Sequence, residues 1–76
     1  MSNHVNPDLK SLGGRIKILR IEDDPHQTQS EFGEKLGFSG NMISKIERGR
    51  SEPTLTFLYR LSDLTGKSLD WIVKGE

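Results

Sequence analysis

Asn41, Ser44 and Lys45 stand three and four residues apart, the spacing that brings side chains onto one face of a helix. Their groups are a carboxamide, a hydroxyl and an ammonium. A carboxamide can pair bidentately with adenine N6 and N7, and a lysine can reach guanine N7/O6 or a phosphate. The choice between those two for Lys45 stays open. Gly40, just before them, has no side chain to read with and serves only to permit close approach. Met42 has two readings, a graze against a thymine methyl or half-buried packing. Arg48, Arg50 and Ser51 follow directly and suit phosphate oxygens. Together these residues form an inventory for gripping and reading a DNA duplex. Catalysis is poorly served: no Ser/His/Asp grouping, phosphate-cradling glycine loop or paired carboxylates in an apolar setting occurs.

Such side chains need a helix that projects from its domain. Thr28-Gln29-Ser30-Glu31 is a capping box that opens a helix, Phe32 and Leu36 lie one turn apart, and Gly37 closes it. Ser39 then caps a second helix with Met42, Ile43 and Ile46 on its inner face, ended by Gly49. The connection Gly37-Phe38-Ser39 is too tight for antiparallel packing, so the helices must cross steeply. Gly33 is the small residue at that crossing, a choice that otherwise costs about 1 kcal/mol relative to Ala. Phe32, Leu36, Phe38, Ile43 and Ile46 then share one core. These are the requirements of a helix-turn-helix unit, whose second helix can enter a major groove.

The flanks supply the rest of the body. Leu9, Leu12, Ile16 and Leu19 mark a first helix, secure from Arg15 to about Ile21 because Gly13 and Gly14 weaken its start. Asp23-Asp24-Pro25 stops it. Ile18 and Ile21 fall on its opposite face, either as ordinary exposed residues or as contacts for an additional protein partner. Arg15 and Lys17 read as solvated. Pro53-Thr54 opens a fourth helix with Leu55, Leu58, Leu61 and Leu64 at three-residue steps, stopped by Gly66. Ser68 caps a fifth, Leu69 to Val73. No segment alternates with period two, so the expectation is an all-α, compact five-helix domain over 9–76 behind a flexible leader, 1–8.

Seventy-six residues without cysteine make one domain with no disulfide and no thiolate metal site. His4 and His26 are too few and too far apart for zinc, so neither metal nor cofactor is expected. No apolar stretch can span a bilayer and no signal sequence opens the chain, which points to a soluble, cytoplasmic domain with no membrane partner. Net charge is zero, but unevenly laid: residues 9–20 carry +4, residues 22–34 carry −5 and residues 39–50 carry +2. Local field at the contact face decides affinity for DNA, and total charge does not report it. Glu22 to Asp24 should therefore face away from a duplex or into an electropositive partner.

Gln27 to Ser39, Ile43 to Gly49 and Pro53 together resemble the lambda-repressor-like (Cro/C1, XRE-type) transcriptional regulators. The likeness extends from Leu12, Ile16 and Leu19 to the Ser68–Gly75 segment, nearly the whole chain. The resemblance implies a DNA-binding domain in which Gln29, with Thr28 beside it, clamps a phosphate; the plain alternative is a solvent-exposed first-turn glutamine. It also implies an Arg20–Glu47 pair in which Glu47 orients the guanidinium toward a phosphate, against the alternative of an isolated surface pair. It places self-association around Tyr59, Leu69 and Trp71, although a lone Trp is as often core. Two domains about a two-fold axis would set their recognition helices about 34 Å apart, one DNA turn. The expected function is a sequence-specific double-stranded DNA-binding regulator, a repressor acting as a homodimer on a palindromic operator, and not an enzyme. The rivals are a protein-interaction module and an antitoxin-type regulator on the same fold.

Overall fold

The computed structural model describes residues 8–76. Five helices follow in order: α1 (Leu9–Asp23), α2 (Gln29–Leu36), α3 (Gly40–Glu47), α4 (Leu55–Thr65) and α5 (Leu69–Lys74). No strand occurs among the described residues, and none of their helices is long and apolar enough to cross a membrane. Most of the leader expected over 1–8 lies outside the described residues. Asp8 belongs to the fold: its carboxylate accepts from the Ser11 N–H at 3.1 Å and the Ser11 hydroxyl at 2.8 Å. Those bonds, the backbone one first, hold the Asp8 carboxyl below the usual carboxylate range.

Every helix starts the same way. Thr28, Ser39, Thr54 and Ser68 accept from the N–H groups of Glu31, Met42, Phe57 and Trp71, as Asp8 does from Ser11. Each cap stabilises its helix by about 1 kcal/mol. Helices of six to eleven residues, such as α2 to α5, are marginal alone in water and depend on such ends and on burial.

The core collects Leu12, Ile16 and Leu19 from α1, Phe32 and Leu36 from α2, and Ile43 and Ile46 from α3. Phe57 and Leu61 from α4 and Ile72 from α5 complete it. Phe38 packs edge-on against Phe57, with ring centroids 5.1 Å apart. The leucine ladder of α4 departs from its expected role. Leu55 is 63 % exposed and Leu64 is also exposed, while Phe57 is fully buried. Steps of three residues drift by about 60° each on a helix of 3.6 residues per turn, so four such leucines cannot share one stripe. In the last turn of α4 the Thr65 hydroxyl donates to the Leu61 carbonyl at 2.8 Å.

α1 is longer at its start than the sequence suggested, and Gly13 explains why. A β-carbon there would collide with the main-chain carbonyl oxygens of Ile46 and Glu47, so α1 lies directly on the end of α3. Gly14 faces open space. The neighbouring substitutions should therefore have opposite signs in thermal unfolding. Gly13→Ala should lower stability by about 1–3 kcal/mol through overpacking. Gly14→Ala should raise it by up to about 1 kcal/mol through helix propensity and lost unfolded-state freedom. Two shifts of the same sign would contradict this packing.

Candidate nucleic-acid interface

The α2–turn–α3 unit is built from backbone geometry. Gly37 takes φ 82°, a left-handed conformation that closes α2, and the Phe38 N–H donates to the Gly33 carbonyl at 2.8 Å. A β-carbon on Gly33 would collide with the Phe38 carbonyl, and one on Gly40 with the Ser30 side chain. Both glycines therefore permit contact within the unit. Gly40, expected to ease approach to DNA, has Ser30 of α2 where a side chain would stand, so its absent side chain belongs to helix packing. From α4, Arg60 donates to the Leu36 carbonyl at 2.9 Å and seals the end of α2.

α3 presents Asn41 and Lys45 outward, both exposed, with Ser44 half-buried between them on the same face. Arg48 continues the stripe one turn on; its Nε donates back to the Ser44 carbonyl at 3.3 Å, laying the side chain along the helix. Arg50 is exposed beyond it, and its main-chain N–H donates to the Lys45 carbonyl at 2.8 Å. Met42 takes the packing alternative. It is half-buried against the core, and the Ser51 hydroxyl donates to its sulfur at 3.7 Å. Ser51 thus sits beside the stripe with its hydroxyl hydrogen engaged.

One carboxylate organises the junction of the first three helices. Glu47 accepts from Arg20 Nε at 2.6 Å and Nη2 at 3.0 Å, and from Gln29 Nε2 at 3.0 Å. Its side chain is only 3 % exposed and that of Arg20 13 %. A carboxylate at a helix C-terminus meets the wrong end of the macrodipole, and the bidentate guanidinium offsets that penalty. Hydrogen bonding to Glu47 raises the Arg20 pKa above its ordinary value. Arg20 and Glu47, expected from the sequence as a pair, are bonded to each other, and Gln29 joins them. That glutamine is neither solvent-bound nor wholly free. One amide hydrogen goes to Glu47, leaving the other and the unpaired first-turn main-chain N–H groups. Thr28 accepts from the Glu31 N–H at 3.0 Å, so its own hydroxyl hydrogen can still be donated outward.

The acidic segment is answered in part inside the molecule. Asp23 pairs with Lys35 at 2.8 Å and accepts from Gln27 Nε2 at 2.8 Å, and Asp24 accepts from the His26 N–H at 2.9 Å. The Lys35 bond first, and then the Gln27 bond, hold the Asp23 carboxyl below the usual carboxylate range. Gln27, buried, also donates to the Arg20 carbonyl at 3.1 Å. Arg15, Gln27 and Arg60 were not read as structural from the sequence. Arg15 is not solvated but bonded to the carbonyls of Ile72 and Val73. Of the residues expected at a self-association surface, Tyr59 is exposed and Leu69 half-buried. Trp71 is half-buried against the core, with the Lys67 ammonium 4.8 Å from its ring centroid.

A short helix-turn-helix unit of this kind, cradled by three further helices, defines a class of small all-α domains. The family model described as helix-turn-helix matches residues 28–72. The uncharacterized HTH-type transcriptional regulator y4dJ of Sinorhizobium fredii is 36 % identical over 61 residues, covering 80 % of this chain and 78 % of that protein. ImmR of Bacillus subtilis, also an HTH-type transcriptional regulator, is 36 % identical over 63 residues, 83 % of this chain and 48 % of its own length. The chain thus spans about half of that relative. The P22 c2 repressor, solved in complex with synthetic operator 9T, superposes with a TM-score of 0.75 at 32 % identity, over 86 % of this chain and 96 % of that one. The chain belongs to the Cro/C1-type (XRE) helix-turn-helix family, whose members are transcriptional regulators rather than enzymes.

Two outcomes follow from the junction and the acidic segment. Glu47→Gln should lower the unfolding free energy in urea by about 3 kcal/mol, the scale for breaking a buried pair. A loss within about 1 kcal/mol would mark an ordinary surface pair. The lowered Asp23 pKa contributes stability that is present above the usual carboxylate range and lost as pH falls through the lowered value. Urea midpoints should therefore drop on acidification below about pH 4, the unperturbed Asp value, and Lys35→Met should flatten part of that drop. An identical acid limb in both proteins would contradict the pairing.

Proposed function

We propose that this domain represses transcription by binding an inverted DNA repeat as a homodimer, with α3 in the major groove. Asn41, Ser44 and Lys45 read base edges, while Arg48, Arg50, Thr28 and the free N–H groups of Gln29 grip phosphates, and Ser51 joins them by turning its hydroxyl from the Met42 sulfur. Arg20 keeps N–H groups beyond those given to Glu47 and adds a phosphate contact of its own. The observation that carries this reading is the outward stripe of α3 from Asn41 to Arg48. The one acid of that segment, Glu47, is folded inward against Arg20, so the exposed edge keeps three cations, Lys45, Arg48 and Arg50. The neutral total charge is no obstacle to such an edge. The P22 c2 repressor's complex with an operator supports a DNA partner. Tyr59, Leu69 and Trp71 supply the self-association surface, and the cytoplasm is where such a regulator acts. Ile18 and Ile21, 49 % and 42 % exposed on α1, favour an additional protein partner as a second reading.

Selection of preferred sites from random duplexes tests the assignment. Asn41→Ala should relax preference at one position in each half-site, at a cost of about 1–3 kcal/mol. Arg48→Ala should weaken binding to all sequences alike and reduce the salt slope by about 1. An Asn41→Ala protein that selects the wild-type sequence would overturn the readout. A single molecular weight at every protein concentration, with one chain bound per duplex, would overturn the homodimer.

A further inference from the structure

α5 is six residues long, too short to hold its shape by its own hydrogen bonds. The last four carbonyls of any helix lack partners within it. In α5 those belong to Trp71, Ile72, Val73 and Lys74. The Trp71 carbonyl takes the Gly75 N–H at 2.8 Å. The next two are taken by one side chain from the far end of the sequence: Arg15 Nε donates to the Ile72 carbonyl at 2.8 Å, and Nη2 to the Val73 carbonyl at 2.7 Å. A guanidinium is fit for this because it presents a planar fork and a positive charge to the negative end of the helix. Gly75, at φ 81°, lets the chain turn over the guanidinium, where a β-carbon would sit 3.2 Å from Nη1. The other end of α5 is tied to α4, since Ser62 donates its hydroxyl to the Lys67 carbonyl at 2.6 Å.

Trp71 and Leu69 ride on this clasped helix. Five residues along α1 from Arg15, Arg20 binds Glu47 at the end of α3. One rigid helix thereby joins the element proposed for self-association to the element proposed for base reading. We infer that Arg15 is a positioning residue for pairing on DNA: it sets the placement of α5, and through α5 the spacing and inclination of two recognition helices. This inference rests on the homodimer reading above and adds a residue that touches neither DNA nor the second copy. A lysine at this position keeps the charge and loses the fork, so its effect falls between those of arginine and methionine.

The test uses the full chain with Arg15→Met and Arg15→Lys, checked for helical content by circular dichroism. Trp71 is the single tryptophan, so its emission in dilute protein without DNA reports the placement of α5 directly. Arg15→Met should shift that emission to longer wavelength. On the selected inverted repeat it should bind at least tenfold more weakly than wild type, while affinity for an isolated half-site changes less than twofold. Wild type should also lose binding sharply when one base pair is inserted between half-sites, and Arg15→Met should tolerate the insertion. General destabilisation would instead lower half-site and full-site binding together and leave the spacing preference intact, which contradicts the inference. Unchanged Trp71 emission, or a cooperative wild type matched by Arg15→Met, overturns the role of Arg15 alone. A wild type that fills half-sites independently overturns the homodimer reading and this inference with it.

Discussion

The buried carboxylate of Glu47 is the constraint on which the rest of this structure depends. It sits at the C-terminus of α3, where an isolated negative charge is disfavoured both by burial and by the helix dipole. Only convergent donors make it tolerable, and they come from Arg20 on α1 and Gln29 on α2. Satisfying one charge thus draws three helices to a common point. Gly13 reinforces the junction by bringing the backbone of α1 against the last carbonyls of α3. With its end held on two sides and Ile43 and Ile46 buried beneath it, α3 has only its opposite face to offer to solvent. Asn41 and Lys45 lie on that face.

The same arrangement resolves the apparent conflict between zero net charge and an affinity for phosphate. Acids and bases are not spread as a uniform mixture. Asp23 is met by Lys35, Glu47 by Arg20, and Arg15 by the carbonyl end of α5. The cations that remain exposed near the end of α3 are Lys45, Arg48 and Arg50. Surface ion pairs such as Asp23–Lys35 add little to stability individually. Their larger effect is to decide which charges stay available to a ligand.

Much of the fold could be read from local sequence because its determinants are local. A Ser or Thr three residues before a backbone N–H in need of a partner announces a helix start, and Gly37 announces an end. Gly33 was readable because a glycine inside a helix has a cost that only a close crossing justifies. Features formed between distant segments left no such trace. The Arg15 clasp joins residues 57 apart, and Arg60 reaches back 24 residues to the end of α2. A guanidinium bound to a carbonyl looks, in sequence, like any solvated arginine. In α4 the three-residue spacing of leucines was the wrong period to follow, and the burial of Phe57 decided the face instead. At the candidate site, the shared exposed face of Asn41, Lys45 and Arg48 was legible because helical spacing alone puts them on one stripe. Gly40, Met42 and Gln29 were less so, since each is spent partly on contacts inside the protein.

On the proposed function, the α2–α3 unit turns the Asn41–Lys45–Arg48 stripe toward DNA while the Glu47 junction holds it there. The most direct measurement is the amide NMR spectrum of isotope-labelled protein titrated with its selected duplex. The largest shifts should fall on Gln29 and on Gly40 to Arg50, with Ile18 and Ile21 scarcely affected. Shifts centred on the exposed face of α1, with α3 unperturbed, would contradict it.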